Sequence, residues 1–525
     1  MRTACTRFDR QVGNNLESPT SHFTYVPLTP SAVRILGRDK SRISFPHPER
    51  KLFFPPQMAS TDSRLTILET CHISPPPNTV GDRTLPLTFF DLPWLLFHPI
   101  HQLFFYDFPH PKSHFIDTII PTLKHSLSIT LQHFFPFAGN LVVFPDENTH
   151  SDLAKKPEIR HVNGDAVAVT FAESDLDFND LKQNHPRDCN NFHPLVPLLE
   201  PPFKSSHLVK IPVFSIQINI FPNSGITIGL TNHHSLCDAR TRHDFLTAWT
   251  SVAKHGTDEL FLATRSLPFY DRVIQYPKSL DDMLLCLPPI RTLDEHFKAT
   301  ELFPIDRVRS TFVLTRSQIN RLKKWVLGQL PALEYASSFV VGCGYVWSCV
   351  AKSRVHVYGK EGEYEVERFM CVADFRTRLD PPLPLTYFGN CTGPCSATSK
   401  TTLLTGRKGF TTVVELLATA IRDGVKGGQG VFKEAETWLE KALLEVPTIG
   451  VAGTPKLNVY DVDFGWGKPE KYETVSLDFN DSISVNASKE SSEDLEIGLC
   501  LPAKQMDAFV SIFGDELESI LSHQF

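Results

Sequence analysis

The commonest catalytic signatures are missing from this 525-residue chain. It has no Gly-x-Ser-x-Gly elbow, no His-Glu-x-x-His pair and no phosphate loop ending in Gly-Lys-Ser/Thr. That removes the serine hydrolases, zinc peptidases and nucleotide hydrolases that those motifs carry. The 11 Cys are scattered singly, and no Cys-x-x-Cys pair occurs. Cys391 and Cys395 come nearest, without a second Cys/His pair at zinc-ligand spacing. No metal site is expected, and the thiols read as buried and reduced, in a cytoplasmic setting. A basic excess is also lacking: 52 Lys+Arg face 59 Asp+Glu, a formal charge of −7, which points away from nucleic acid. The most apolar stretch, 92–109, is broken by His98, Pro99, His101 and Asp107, so no membrane span is expected.

What is present is an ordinary globular balance, 41% hydrophobic and 21% charged, with 40 Pro and 39 Phe against 6 Trp. The length suits two large domains or about three smaller ones. Residues 1–57 stand apart. They carry nine Lys/Arg against four Asp/Glu (+5, leaving −12 for the rest), scattered Pro and no sustained periodicity. They are read as a disordered extension outside the fold, with Met58 a plausible start of the folded part.

The remainder alternates strands and helices. A helix is expected over 117–135, with Ile119, Leu123, Leu127 and Leu131 on one face. A hairpin follows from the alternation of Phe214, Ile216, Ile218 and Ile220, the turn 222–225, and Ile226, Ile228 and Leu230. It ends at Asn232-His233-His234 and enters a helix with Phe245, Trp249 and Val252 on one stripe. Residues 255–300 are Pro-rich and aperiodic, an interdomain crossover. Beyond it, helices are expected at 317–326, 338–351, 410–421, 434–444 and from Pro502 onward, and strands at 364–373, 456–464, 474–485 and 495–501. Gly424-Val-Lys-Gly-Gly-Gln-Gly430 lacks the phosphate-loop ending and reads as a flexible loop.

Three segments bear on chemistry. The His-x-x-x-Asp pattern occurs twice, and chance supplies about one match in a chain this rich in His. His161-Val-Asn-Gly-Asp165 reads as a hairpin tip around the Asn-Gly dipeptide. His234-Ser-Leu-Cys-Asp238 leaves an apolar strand and enters a helix, where side chains can face a cleft, although a satisfied core histidine would look the same. Asp463-Phe-Gly-Trp-Gly467 implies a fixed turn, with Asp463 holding it or pairing an Arg. Tyr387-Phe-Gly-Asn-Cys391 follows Pro381-Pro-Leu-Pro384 and reads as a strand entered from a stiff turn.

Together these segments resemble the plant BAHD acyl-CoA-dependent acyltransferases, from about residue 65 to the C-terminus. His234-Ser-Leu-Cys-Asp238 and Asp463-Phe-Gly-Trp-Gly467 match both family signatures in order, and 87–93, 135–141 and 338–341 fit as well. Tyr387-Phe-Gly-Asn-Cys391 looks like the subgroup that acylates flavonoid, anthocyanin and phenolic glycosides, often with malonyl groups. Ala239 departs from the family, where many members carry Gly.

The resemblance implies an α/β fold of two chloramphenicol-acetyltransferase-like domains, each a mixed sheet with helices, with a channel between them. They would span 58–260 and 301–525, joined by the crossover 261–300. It implies acyl-CoA, foremost malonyl-CoA, as co-substrate, a phenolic glycoside acceptor and no bound cofactor. A monomer is the default. His234 would be the general base that takes a proton from a sugar hydroxyl as that oxygen attacks the thioester. The CoA thiolate, with a pKa near ~8.5, would leave. No covalent intermediate is needed, so Cys237 is a bystander. Asp238, through an Arg, and Asp463, which is also counted among the catalytic residues, would hold the motifs' geometry. Asn390 and Trp466 would line the channel, Ser338 at a helix start would meet CoA phosphate, and Lys456 would pair a malonyl carboxylate. The alternatives are a hydroxycinnamoyl donor on the same acceptors, and a non-catalytic relative that only binds ligand.

Overall fold

A computed structural model describes residues 64–144, 155–205, 207–285, 305–425, 431–432, 435, 437–438 and 446–522. The expected disordered extension, most of the helix at 434–444 and residues 426–430 of the Gly-rich segment lie outside the described residues, while Gly424 ends the helix Gly409–Gly424.

The chain is mixed α/β, with three sheets. A six-stranded sheet runs in the order Leu65–Ile73, Val167–Ser174, Phe214–Phe221, Gly225–Asn232, Ile100–Asp107 and Lys471–Thr474. A seven-stranded sheet runs Thr392–Ser399, Glu367–Asp374, Thr448–Ala452, Ile483–Ala487, Leu495–Leu501, Val308–Leu314 and Arg187–Asp188. A smaller five-stranded sheet, from Arg83–Pro86 to Phe203–Lys204, flanks the first.

The hairpin forms as the alternation requires, Phe214 opposite Asn232 and Phe221 opposite Gly225, closed by Asn223 at φ 63°. Both strands are buried along their whole length, because sheet and helices cover both faces. The helix expected at 117–135 begins at Lys112 and passes through a π turn, Phe115–Ile119, into Ile120–His133. Its four apolar positions are all buried. Among the described residues, no helix is long and apolar enough to cross a membrane.

Four local expectations fail. His161-Val-Asn-Gly-Asp165 is no hairpin tip: Glu158–His161 and Val167–Ser174 belong to different sheets, and Gly164 (φ 96°) turns the chain between them. The strand expected at 456–464 is irregular chain with a short 3-10 turn, Val459–Asp461. The strand expected at 474–485 is split by the 3-10 turn Val475–Phe479. Tyr387–Cys391 is irregular as well: beyond one isolated bridge to Phe269, its backbone is tied to side chains and not to a strand ladder.

The two large sheets exchange edges. Lys471–Thr474, late in the chain, completes the first sheet against Ile100–Asp107, while Arg187–Asp188, early in the chain, completes the second against Val308–Leu314. Buried charges fasten the exchange. Arg187 reaches Glu473 at 2.9 Å and Arg309 reaches it at 3.4 Å, with all three side chains almost fully enclosed. Burial alone would raise the Glu473 carboxyl pKa, but Arg309 and Arg187 hold it below the usual range. Replacing Arg187 by Ala leaves Glu473 with Arg309 and removes its 2.9 Å hydrogen-bonded partner, so the folding free energy should drop by about 1.5–3 kcal/mol. Urea unfolding of Arg187→Ala beside the parent protein checks this.

Candidate active site

The strand Gly225–Asn232 delivers His233 and His234 to the edge of the core, where the 3-10 turn His234–Leu236 begins. The His233 ring caps that turn: its Nδ1 accepts from Ser235 N at 3.2 Å. Asp238 then starts the helix Ala239–His255 as its N-cap, accepting from Thr241 N at 3.1 Å. An Asp at this position satisfies a helix N–H that would otherwise lack a partner.

Asp238 serves more than the helix. Arg376, which has no exposed surface, donates to both of its oxygens, at 2.7 and 3.1 Å, and Cys391 N donates to Oδ2 at 3.2 Å. Burial would push the carboxyl pKa up, but Arg376 and the two backbone N–H groups hold it below the usual range. The same guanidinium donates to the carbonyls of Tyr387 and Gly389, at 3.0 and 2.9 Å. Gly389 sits at φ 115°, and a side chain there would also crowd the Arg272 guanidinium.

Asn390 closes the ring of contacts. Its backbone N–H donates to Asp91 at 2.9 Å, and its side-chain amide donates to Asp91 at 3.1 Å and to the His234 carbonyl at 3.0 Å. Asn390 is fully buried and supports the backbone of His234, a different place from the channel lining expected of it.

The His234 imidazole itself has no contact with Asp238, whose oxygens are occupied by Arg376, Thr241 and Cys391. It lies flat against the Trp94 indole, with centroids 3.8 Å apart and planes 6° apart, and meets Phe97 edge-on at 5.3 Å. Burial drives its pKa down to about 3; its own carbonyl opposes this, the charge of Arg242 adds to it, and Asp238 opposes it more weakly. The ring is therefore neutral near pH 7, as a proton acceptor must be.

A cleft is lined by the first turns of Ala239–His255, the strand Ile100–Asp107 and the chain around 453–462. Gln102, Arg242, Tyr472 and Thr454 are among its lining residues. Arg242 is buried and donates to Asn232 Oδ1 at 3.2 Å, and it has no carboxylate partner among the described residues. Thr454 and Leu457 line the cleft, while Lys456 between them is exposed.

The second signature lies elsewhere. Asp463 Oδ1 accepts from Gly465 N and Gly467 N, at 2.8 and 3.0 Å, and its other oxygen meets Lys254 at 2.8 Å. Both glycines have positive φ, 110° and 118°. Lys254 is in the last turn of the helix that Asp238 caps, about 22 Å from its start at 1.5 Å per residue. Asp463 thus holds the turn, one of the two roles expected of it, and its cation partner at the helix end is Lys254 and not an Arg. Trp466 goes with it, packed on Phe464, Tyr106 and Phe108. Ser338 begins the helix Ser338–Tyr358, where its hydroxyl accepts from Lys323 at 2.9 Å; it makes no contact with the His234 group.

Sequence reasoning foresaw an Arg for Asp238 without finding Arg376, and it missed Asp91, Trp94 and Arg242. Asp91 and its neighbours lie in the 87–93 stretch singled out above, so its motif was visible while its partners were not.

A family model described as the Transferase family matches residues 63–515, and the chain belongs to that family, the BAHD acyltransferases; it is an acyltransferase. Among curated proteins it is 54% identical over 460 residues to a malonyl-coenzyme A:anthocyanin 3-O-glucoside-6''-O-malonyltransferase of Dahlia pinnata, covering 87% of this chain and 98% of the relative. It is 41% identical to phenolic glucoside malonyltransferase 1 of Nicotiana tabacum, covering 80% and 91%. Its fold is similar to the crystal structure of vinorine synthase, with a TM-score of 0.60 at 22% identity over 87% of this chain and 98% of that one.

Two outcomes follow from this geometry. Asp463→Ala should lower stability by about 1–3 kcal/mol through its lost hydrogen bonds, yet change kcat per folded molecule less than about threefold, because its partners are Gly465, Gly467 and the far helix end at Lys254. Urea midpoints and kcat at a temperature where both proteins are folded test the pair of statements.

Acid should also destabilise the fold. Burial pushes the pKa values of His101, His233 and His234 down to about 3, 4 and 3. Below their unfolded value near ~6.5 the unfolded chain binds more protons, costing about 1.4 kcal/mol per group per pH unit. Asp244, raised by burial to about 6, offsets one of the three. Stability should fall by about 3 kcal/mol per pH unit between roughly pH 6 and 4.5. Unfolding curves at pH 7, 6 and 5 give this slope.

Proposed function

We propose that the chain transfers a malonyl group from malonyl-CoA to a sugar hydroxyl of a phenolic or anthocyanin glucoside. The observation that carries this reading is a neutral histidine, His234, that feels the charge of a buried cation without a carboxylate partner, Arg242, on the wall of a cleft. His234 Nδ1 is buried, which leaves Nε2 to take the hydroxyl proton. The hydroxyl oxygen attacks the thioester carbon, and the tetrahedral oxyanion collapses. The C–S bond breaks, and the CoA thiolate leaves with the proton returned from the imidazolium. A pKa of about 3 makes the imidazole a weak base that is free of its proton over the whole working range.

Arg242 is the group for the far carboxylate of the malonyl chain. It is buried where Lys456 is exposed, and a desolvated guanidinium binds a carboxylate more strongly than an ammonium in water does. At the other end of the donor, Ser338 with Lys323, at the start of the helix Ser338–Tyr358, is the place for a CoA phosphate. The sequence relatives support both the donor and the acceptor class. The domain division 58–260, 261–300 and 301–525 belongs to this same reading.

The test is product mass, with malonyl-CoA and a phenolic glucoside as substrates. Malonyl transfer should be lost in His234→Ala. Arg242→Gln should raise the malonyl-CoA KM by about 10–100-fold, the value of one charge-assisted hydrogen bond, and leave any residual turnover of acetyl-CoA unchanged. A coumaroyl product in place of a malonyl one would move the donor assignment. Unaltered malonyl transfer in His234→Ala would remove the mechanism.

A further inference from the structure

Most histidine bases are oriented by a hydrogen bond from the second ring nitrogen to a carboxylate or carbonyl partner. Here no other residue supplies that partner: the ring has only its own carbonyl, and Asp238, four residues away, is consumed by Arg376. A contact within one residue leaves the ring plane to be set against its neighbours.

We infer that Trp94 is the positioning residue of the His234 imidazole: its indole and the edge of Phe97 set the plane in which Nε2 meets the acceptor hydroxyl. The inference rests on the general-base reading above. The stack is parallel to within 6° at 3.8 Å, and Phe97 closes the box at 86° to His234 and 82° to Trp94. One flat face and one edge-on ring restrict rotation about the ring's second torsion, which is otherwise broad.

Both halves of the stack hang from one residue. Asp91's carboxylate accepts from Thr88 N, from its hydroxyl and from Asn390, and its main-chain carbonyl accepts from Trp94 N at 3.2 Å as the 3-10 turn Leu92–Leu96 begins. Asn390 in turn holds the His234 carbonyl. The indole is referenced to the main chain of Asp91 and the imidazole to its carboxylate. The charged and titratable groups acting on the ring are Arg242, Asp238 and His233; Asp91 reaches it only through Asn390, and His98 packs on Phe97, whose edge meets the ring. None of them touches Nδ1.

Two substitutions of similar apolar character separate planarity from bulk. Trp94→Phe keeps a flat ring, and Trp94→Leu keeps burial without one. Trp94→Leu is expected to lower kcat at least tenfold with the acyl-CoA KM within twofold, and to move the acid limb of kcat/KM up toward pH 6 as water reaches the ring. Trp94→Phe is expected to stay within about threefold of the parent in kcat, with its acid limb unmoved. Phe97→Leu, at a residue that is partly exposed, should shift kcat in the same direction by less, and it supplies the readout if either Trp94 variant fails to fold.

A merely structural Trp94 would lower the yield of folded protein without moving the limb. Parent-like kcat and limb in Trp94→Leu would overturn the inference, as would equal losses in the Phe and Leu variants. Activity that survives His234→Ala would instead overturn the general-base reading, so the two failures are distinct.

Discussion

The ion pair between Asp238 and Arg376 is the contact on which the site depends. Each partner is enclosed, so each would be costly alone, and together they satisfy one another bidentately. Through that pair, a helix start from the first half of the chain and the backbone of Tyr387–Cys391 from the second half become one rigid body. The carboxylate does its work on protein conformation. It neither touches the imidazole nor titrates near neutrality, and burial would have driven its pKa the other way without the guanidinium.

This arrangement divides the labour of a histidine base among separate groups. Aspartate fixes the main chain, aromatic rings fix the side chain, and burial keeps the ring free of a proton. Low basicity is tolerable in such a site because the leaving thiolate is stable, and full availability of the neutral form matters more than a high pKa. Arg242 puts a buried cation on the wall of the cleft.

Much of this was legible in the chain, for identifiable reasons. Strand-to-helix patterning placed His234 at an element boundary, and the alternation over 214–230 fixed the hairpin register. The strand Leu495–Leu501 was read to the residue because its apolar run is buried on both faces. Local pattern failed where side chains, not neighbouring strands, satisfy the backbone. Tyr387–Cys391 looked extended, yet Arg376, Thr241 and Asp91 hold its polar groups. Arg376 lies 138 residues from Asp238, and Asp91 lies 299 from Asn390. No periodicity carries information across such separations. Asp463 was legible as the holder of a turn because two glycines bracket Trp466, while its Lys254 partner, far back in the chain, was not.

The helix Ala239–His255 joins the two signatures by its ends, Asp238 at one and Lys254 with Asp463 at the other. It acts as a ruler. Inserting or deleting a single residue between them would turn one end by about 100° relative to the other and shift it by about 1.5 Å. Lys254 would then face away from the turn it anchors while Asp238 stayed in register. The long stretch of chain between the signatures can vary in length wherever loops absorb the change, but these few turns cannot. Spacing in the folded molecule, rather than spacing along the sequence, is what ties the two motifs together.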